Sequence, residues 1–314
     1  MSTRKALHAG WIIPVRPKSQ ILEKHTLVIE DQKIESILPT KDWKRRKRSH
    51  NIEESDLSSC VLIPGFINAH THSPMSLLRG IAEDLPLDEW LNAYTFPLEA
   101  QFRNADLARS VYPDLVSTLL ANGTTTAVYF STIHMEASQV LAEVCRDAGQ
   151  RAFVGKVVMD DPDQCPDYYR DSSTRQAIDE TQGFIEFVRN LSGNDTDLVQ
   201  PIVTPRFIPS CSHTALLELG RVADQMDCRV QTHCSEGDWE HQFVHERYGQ
   251  SDTAALAELG LLQRGSVLAH CNFVSPTDME IMKGALTGIA HCPISNAYFA
   301  NSVFPLRRAL DIGV

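Results

Sequence analysis

Of the twelve histidines in this 314-residue chain, five follow directly on short apolar runs. His70 and His72 come after residues 61–69, His233 after 229–232, His270 after 266–269 and His291 after 287–290. Two residues apart on an extended strand, His70 and His72 project to the same side. Alone, a His-x-His is ordinarily two polar residues. Joined by His233 from another strand, the neutral imidazoles make a ligand set suited to zinc or ferrous iron. Glu236 follows in Thr232-His-Cys-Ser-Glu236, on the loop leaving the strand of His233. A carboxylate there can carry a proton between attacking water and substrate. It also suits the first turn of a helix, whose dipole favours an acid, and the two readings are compatible.

Something must hold these side chains at one place, and the pattern after residue 61 supplies it. Apolar runs at 61–69, 124–130, 152–158, 199–204, 229–232, 266–269 and 287–290 alternate with amphipathic stretches at 105–120, 134–148, 174–191, 214–226 and 253–262. Strand alternating with helix predicts an α/β fold of parallel strands joined by right-handed crossovers. The expected architecture is a (β/α)8 TIM-type barrel with seven of its strands present, and functional groups gather at the C-terminal ends of such strands. An eighth strand is expected to begin where the chain stops at Val314, so the C-terminus reads as incomplete.

Residues 1–60 read differently, as the N-terminal half of a small β-sandwich module preceding the 61–314 barrel. Strands are predicted at 6–15, 25–30 and 33–38, the last two joined as a hairpin by Asp31-Gln32. A polar stretch, 41–59, follows. Its run Lys44-Arg-Arg-Lys-Arg48 reads as an exposed basic loop, with a nuclear address or an acid-binding patch as the alternatives.

Composition narrows the classes further. With 29 Lys+Arg against 40 Asp+Glu the net charge is −11, and the pI near 5.5 argues against nucleic-acid binding through phosphate contacts. Apolar content of 43% with 22% charged residues fits a globular chain. No run approaches the ~20 apolar residues of a membrane span, and the start lacks a secretory apolar core. Eight cysteines without a Cys-x-x-Cys pair fit reduced thiols and a cytoplasmic protein. Two other zinc patterns fail. His134-Met-Glu136 has no Pro-Cys-x-x-Cys after it. His241 and His245 have the spacing of a zincin helix, but Gln242 stands where the catalytic glutamate belongs, so these two read as solvated histidines.

Longer segments carry a resemblance. Pro64-Gly-Phe-Ile-Asn-Ala-His-Thr-His72, Gln231-Thr-His-Cys-Ser-Glu236, Leu268-Ala-His-Cys271 and Ile289-Ala-His-Cys-Pro-Ile-Ser-Asn296 resemble the amidohydrolase superfamily. Glu89-Trp-Leu-Asn-Ala-Tyr-Thr-Phe-Pro97, Asn122-Gly-Thr-Thr-Thr126, Gly149-Gln-Arg-Ala-Phe-Val-Gly-Lys156 and Val203-Thr-Pro-Arg-Phe207 are similar to its guanine deaminase branch. The resemblance implies one divalent metal, zinc or iron, on His70, His72 and His233. It implies Glu236 as the general acid–base and His270 as the group orienting water and substrate. Arg206 would bond the purine and Phe207 pack beside it, with Met75 and Trp90 also at the substrate. A small-molecule purine is the implied partner, with no nucleic acid and no membrane, in a homodimer.

Two departures keep alternatives open. Met75, in His72-Ser-Pro-Met75, occupies the position of the family's glutamine that reads the guanine edge. Ser76-Leu-Leu-Arg-Gly80, Asp84-Leu-Pro-Leu-Asp-Glu-Trp90 and Gly10-Trp-Ile-Ile-Pro14 look more like deaminases of methylthioadenosine, adenosylhomocysteine or oxidised purines. The family's strand-8 aspartate, a further metal ligand and base, is expected beyond residue 314; Asp311 is too early for the role. The expected activity is hydrolytic deamination of guanine to xanthine. The alternatives are another ring (8-oxoguanine, methylthioadenosine or adenosylhomocysteine, a pterin, an s-triazine) or an inactive truncated product.

Overall fold

The computed structural model describes residues 3–46 and 52–314 and divides into two compact units, 1–66 and 67–314. The first holds four strands, β1 (Arg4–Ile12), β2 (Leu22–Glu30), β3 (Lys33–Pro39) and β4 (Glu53–Leu62), in the order β3-β2-β1-β4. β1–β2 and β2–β3 are antiparallel, whereas β1–β4 is parallel. Asp31 turns the β2–β3 hairpin at φ 53°, a conformation that Asp tolerates better than most residues. Ala6, Val28 and Trp43 form the small core of this unit.

The polar stretch corrects the sequence reading. It contains a helix, Thr40–Arg46, and β4. The basic run thus begins on a helix rather than a loop; Lys47 and Arg48 lie outside the described residues. β4 escaped the pattern because most of its residues are exposed, so the apolar–polar alternation of a half-buried strand is lacking.

The second unit is built from parallel strands. β5 (Phe66–His72), β6 (Thr124–Phe130), β7 (Arg151–Gly155) and β9 (Val199–Pro201) form one sheet. β8 (Val157–Val158) and β10 (Thr204–Pro205) pair beyond β7 and β9. β11 (Gln231–Cys234), β12 (Val267–His270) and β13 (Gly288–Ala290) form the last sheet. A parallel bridge between Val203 and Val230 connects the β9–β10 segment to β11. With β7–β8 and β9–β10 each counted as one interrupted segment, the strands follow one another in space as they do in sequence, and at least one helix lies between successive segments, as βαβ sterics require.

The helices start where short polar side chains cap them. Ser173, Ser212, Ser251 and Ser275 each accept a backbone N–H in the first turn of the helices Thr174–Arg189, His213–Gln225, Asp252–Glu258 and Pro276–Ala285. Their buried faces, with Leu216, Leu219, Val222 and Met279 among them, pack with Val230 and Leu268 of the strand region in one apolar cluster. Close approach fixes the strands themselves: a Cβ on Gly155 would meet Thr204 Oγ1 at 1.8 Å. Beside it Gln231 Nε2 donates to Thr204 Oγ1 at 2.9 Å and to Tyr129 O at 2.8 Å, tying β6, β10 and β11 together below the site. No helix among the described residues is long and apolar enough to cross a membrane.

Candidate functional site

Three strand ends bring four imidazoles together. His70 and His72 close β5, His233 lies near the end of β11 and His270 ends β12. The His70 ring centroid lies 5.1 Å from His72, 4.8 Å from His233 and 5.2 Å from His270. Phe130, at the end of β6, supports them, stacked on His72 at 4.8 Å and tilted against His233 at 4.6 Å. Burial pushes His70 and His233 well below the ordinary histidine range, and the neighbouring imidazoles add to it. The rings are accordingly neutral and can donate lone pairs.

Facing nitrogens test whether a cation fits. His233 Nδ1 lies 2.6 Å from the Arg206 carbonyl; a carbonyl only accepts, so the proton is on Nδ1 and Nε2 keeps its lone pair. That Nε2 is 2.9 Å from His72 Nε2. The ligand atoms of His70, His72 and His233 all lie within 4.8 Å of one another, as do those of His233, Glu236 and His270. The imidazoles of His70, His72 and His233, the first two partly buried and the third buried, suit zinc or iron rather than magnesium or calcium.

Glu236 occupies the turn after β11, and its backbone is held from two sides. Its N–H donates to Glu240 Oε2 at 2.7 Å, and its carbonyl accepts from Asn272 Nδ2 at 2.8 Å. One carboxylate oxygen lies 3.3 Å from His270 Nε2. Burial raises the Glu236 pKa, against the opposing pull of His270 and Arg206. A carboxyl shifted in that direction holds a proton closer to neutrality, as a general acid must. His270 Nδ1 is 2.9 Å from Asn296 Oδ1, which aims Nε2 at Glu236. His270 and Cys271 both have left-handed backbones, φ 70° and 56°. Such strain costs about 1–3 kcal/mol per residue and persists where surroundings enforce it; here Cys271 N–H bonds Cys234 O and Asn272 N–H bonds Ser235 O, both at 2.9 Å.

These groups open into a cavity of about 130 Å³. All nine residues singled out in the sequence line it: His70, His72, Met75, Trp90, Arg206, Phe207, His233, Glu236 and His270. Arg206, just beyond β10, is buried and pairs through Nη1 with Glu99 Oε2 at 2.6 Å. Trp90 spends its indole N–H on the Ile81 carbonyl at 3.0 Å, so it offers the cavity a ring rather than a donor. Phe299 packs 5.0 Å from it. Met75 lies in the short 3₁₀ turn Pro74–Leu77, within 4.0 Å of the Thr95 hydroxyl.

The structure separates His291 from the cluster. It is exposed and packs on Phe304 at 5.0 Å. Its backbone precedes the helix Pro293–Phe299 rather than ending in the cavity. The helix pair is also not a site. His245 is exposed, while His241 is half-buried and bonds Asp252 at 2.9 Å, so it is not simply solvated. Sequence reasoning missed Glu99, Phe130, Asn296, Leu87, Leu91 and Phe299. Asn296 was within reach, since it closes the His291-Cys-Pro-Ile-Ser-Asn296 segment. Glu99 stands two residues past the Glu89–Pro97 segment, and burial would raise its pKa, but Arg206 and His72 overrule that and hold it at about 2.

Residues 61–314 match the amidohydrolase family. The guanine deaminase of Dictyostelium discoideum is 39% identical over 84% of this chain and 58% of its own length. The 5-methylthioadenosine/S-adenosylhomocysteine deaminase of Pyrococcus furiosus is 35% identical over 82% of this chain and 58% of its own. The chain thus spans less than two thirds of these relatives. Among solved structures, guanine deaminase from C. acetobutylicum with guanine bound in its active site superposes with a TM-score of 0.89 at 31% identity. That match covers 99% of this chain and 73% of the other.

Proposed function

The chain belongs to the amidohydrolase family, and we propose that its site deaminates an aminopurine hydrolytically, guanine plus water giving xanthine plus ammonia. One observation carries this: four imidazoles, a carboxyl whose burial raises its pKa and a buried guanidinium line one largely apolar cavity. The relatives, which include guanine deaminases, support the same reading.

In this reading His70, His72 and His233 hold one divalent metal, zinc or iron. When bound, the metal supplies Lewis-acid polarisation at the reacting centre. Glu236 delivers a proton to the ring nitrogen next to the carbon carrying the amino group, and moves protons onward to the leaving ammonia. His270, fixed through Asn296, orients the attacking water and the substrate. Arg206 reads the purine edge with the planar donors that Glu99 leaves free. Phe207 and Trp90 supply faces for the ring, and Met75 forms the edge of the pocket. The parallel strand order supports a (β/α)8 barrel, and the reading extends to a cytoplasmic homodimer.

Met75 favours a second reading, an aminopurine other than guanine. A thioether cannot make the hydrogen bonds of an amide, and losing such partners can alter selectivity by orders of magnitude. The test is ammonia release from guanine, 8-oxoguanine, adenosine and methylthioadenosine by the metal-loaded protein. Guanine is expected to be turned over first. Turnover confined to the nucleosides moves the assignment to the second reading, and no release from any of them overturns the deaminase reading.

A further inference from the structure

Glu99 faces two partners at once. Its Oε2 binds Arg206 Nη1 at 2.6 Å, while Oε1 is buried, makes no hydrogen bond and lies 3.8 Å from His72 Nδ1. That nitrogen is likewise buried without a hydrogen-bond partner. Two unsatisfied polar atoms opposite one another are costly unless one donates to the other. If Nδ1 kept its lone pair, it would face a carboxylate oxygen. With the proton on Nδ1, the N–H faces the carboxylate across 3.8 Å, an electrostatic attraction that replaces the repulsion.

The choice of tautomer has a consequence on the other side of the ring. A proton on Nδ1 leaves the lone pair on Nε2, which faces the lone pair of His233 Nε2 at 2.9 Å. Neither ring is then competent to donate to the other, and the gap between them is set for a cation. We infer that Glu99 is a positioning residue that acts in two directions, fixing the His72 tautomer for metal binding and holding the guanidinium of Arg206 toward the substrate.

The local chain explains how one carboxylate reaches both. Residues Leu91–Thr95 form a π-helical turn leading directly into the helix Phe96–Gln101. Such turns shift helical register and recur at functional sites. Here the shift leaves Trp90 and Leu91 in the cavity wall and Glu99 fully buried behind Arg206.

The test uses zinc as the probe, measured by chelator competition. Glu99→Gln keeps the shape, but its amide cannot accept from both His72 and Arg206. Zinc affinity is expected to fall about 10–100-fold, the usual cost of losing such a partner of a ligating histidine. A paired replacement, Glu99→Met with Arg206→Met, guards against a folding artefact, because swapping both members of a buried ion pair for apolar side chains is generally tolerated. It should lose zinc affinity as the single variant does. Retention within about threefold by either folded variant overturns the proposal, as does a wild-type protein that holds no zinc.

The kinetic arm alone rests on the deaminase reading. Normalised to bound zinc, Glu99→Gln should keep kcat within about twofold while KM for guanine rises about tenfold, the pattern of lost ground-state binding. An unchanged KM overturns the Arg206 half. Absence of turnover in the wild type speaks against the deaminase reading and leaves the zinc comparison intact.

Discussion

Glu99–Arg206 and Asp171–Lys156 are two buried carboxylate–cation pairs of the same unit, with N···O distances of 2.6 and 2.8 Å. Their surroundings differ. Asp171 is saturated, one oxygen taken by Lys156 and the other by Met159 N–H at 2.9 Å. Lys156 also reaches Glu180 at 3.3 Å and the Val157 carbonyl at 3.3 Å. Glu99 keeps one oxygen unsatisfied beside an imidazole of the cavity. The carboxyls respond in opposite directions. Burial raises Asp171, despite Lys156, with Glu180 adding to the rise; Glu99 is held at about 2 because Arg206 and His72 both oppose its burial. Burial and charge pairing alone therefore do not mark chemistry; leftover hydrogen-bonding capacity behind a cavity-lining imidazole does.

That contrast can be broken from either end. The largest effect should come at the cavity: Glu236→Gln is expected to lower guanine turnover about 10²–10⁴-fold, with zinc content and melting temperature nearly unchanged. A loss below tenfold would remove Glu236 from proton transfer. At the saturated pair the pattern should invert. Lys156→Met leaves Asp171 buried without its cation and should cost about 3–5 kcal/mol in denaturant unfolding, while the folded fraction keeps the wild-type KM. A shifted KM would show that this pair also serves the site.

Metal removal should come next in size. Zinc at a hundred times its Kd is worth about 2.7 kcal/mol to the folded state, so chelation should lower the melting temperature and zinc should restore it. An unmoved transition would mean that the imidazoles hold nothing.

The smallest effect belongs to His241–Asp252, a partly buried imidazole 2.9 Å from a buried carboxylate. The hydrogen bond that His241 donates to the Asp252 carboxylate raises the His241 pKa above its ordinary 6.5, against partial burial. A raised folded-state value stabilises fully below about pH 6.5 and loses that contribution as pH climbs through it. His241→Gln should therefore cost about 1 kcal/mol, the net worth of one such hydrogen bond, and more at pH 6 than at pH 9. The reverse order, read from unfolding curves at the two pH values, would refute the pairing.

How far the sequence could be read follows from how local each signal is. His70, His72, His233 and His270 stood out because each directly follows an apolar run, and β6 was legible to the residue because Thr124–Phe130 is bounded by a Gly and a polar loop. Glu99 was not, since its partner Arg206 is 107 residues away and no periodicity records a contact of that range. His291 misled for the opposite reason: its motif matches the others, but the chain turns into a helix two residues later. β4 was lost because an exposed strand need not alternate.

One contact bears on the order in which the molecule assembles. His72 and His233 are 161 residues apart in sequence and 2.9 Å apart in space. Joining the ends of so long a loop costs an unfolded chain about 4–5 kcal/mol of entropy, and neither ring has a competing reason to find the other early. The strands between them must dock first, so capture of an ion by this pair comes late in folding. The ion then discriminates in favour of molecules whose β5 and β11 ends have already met.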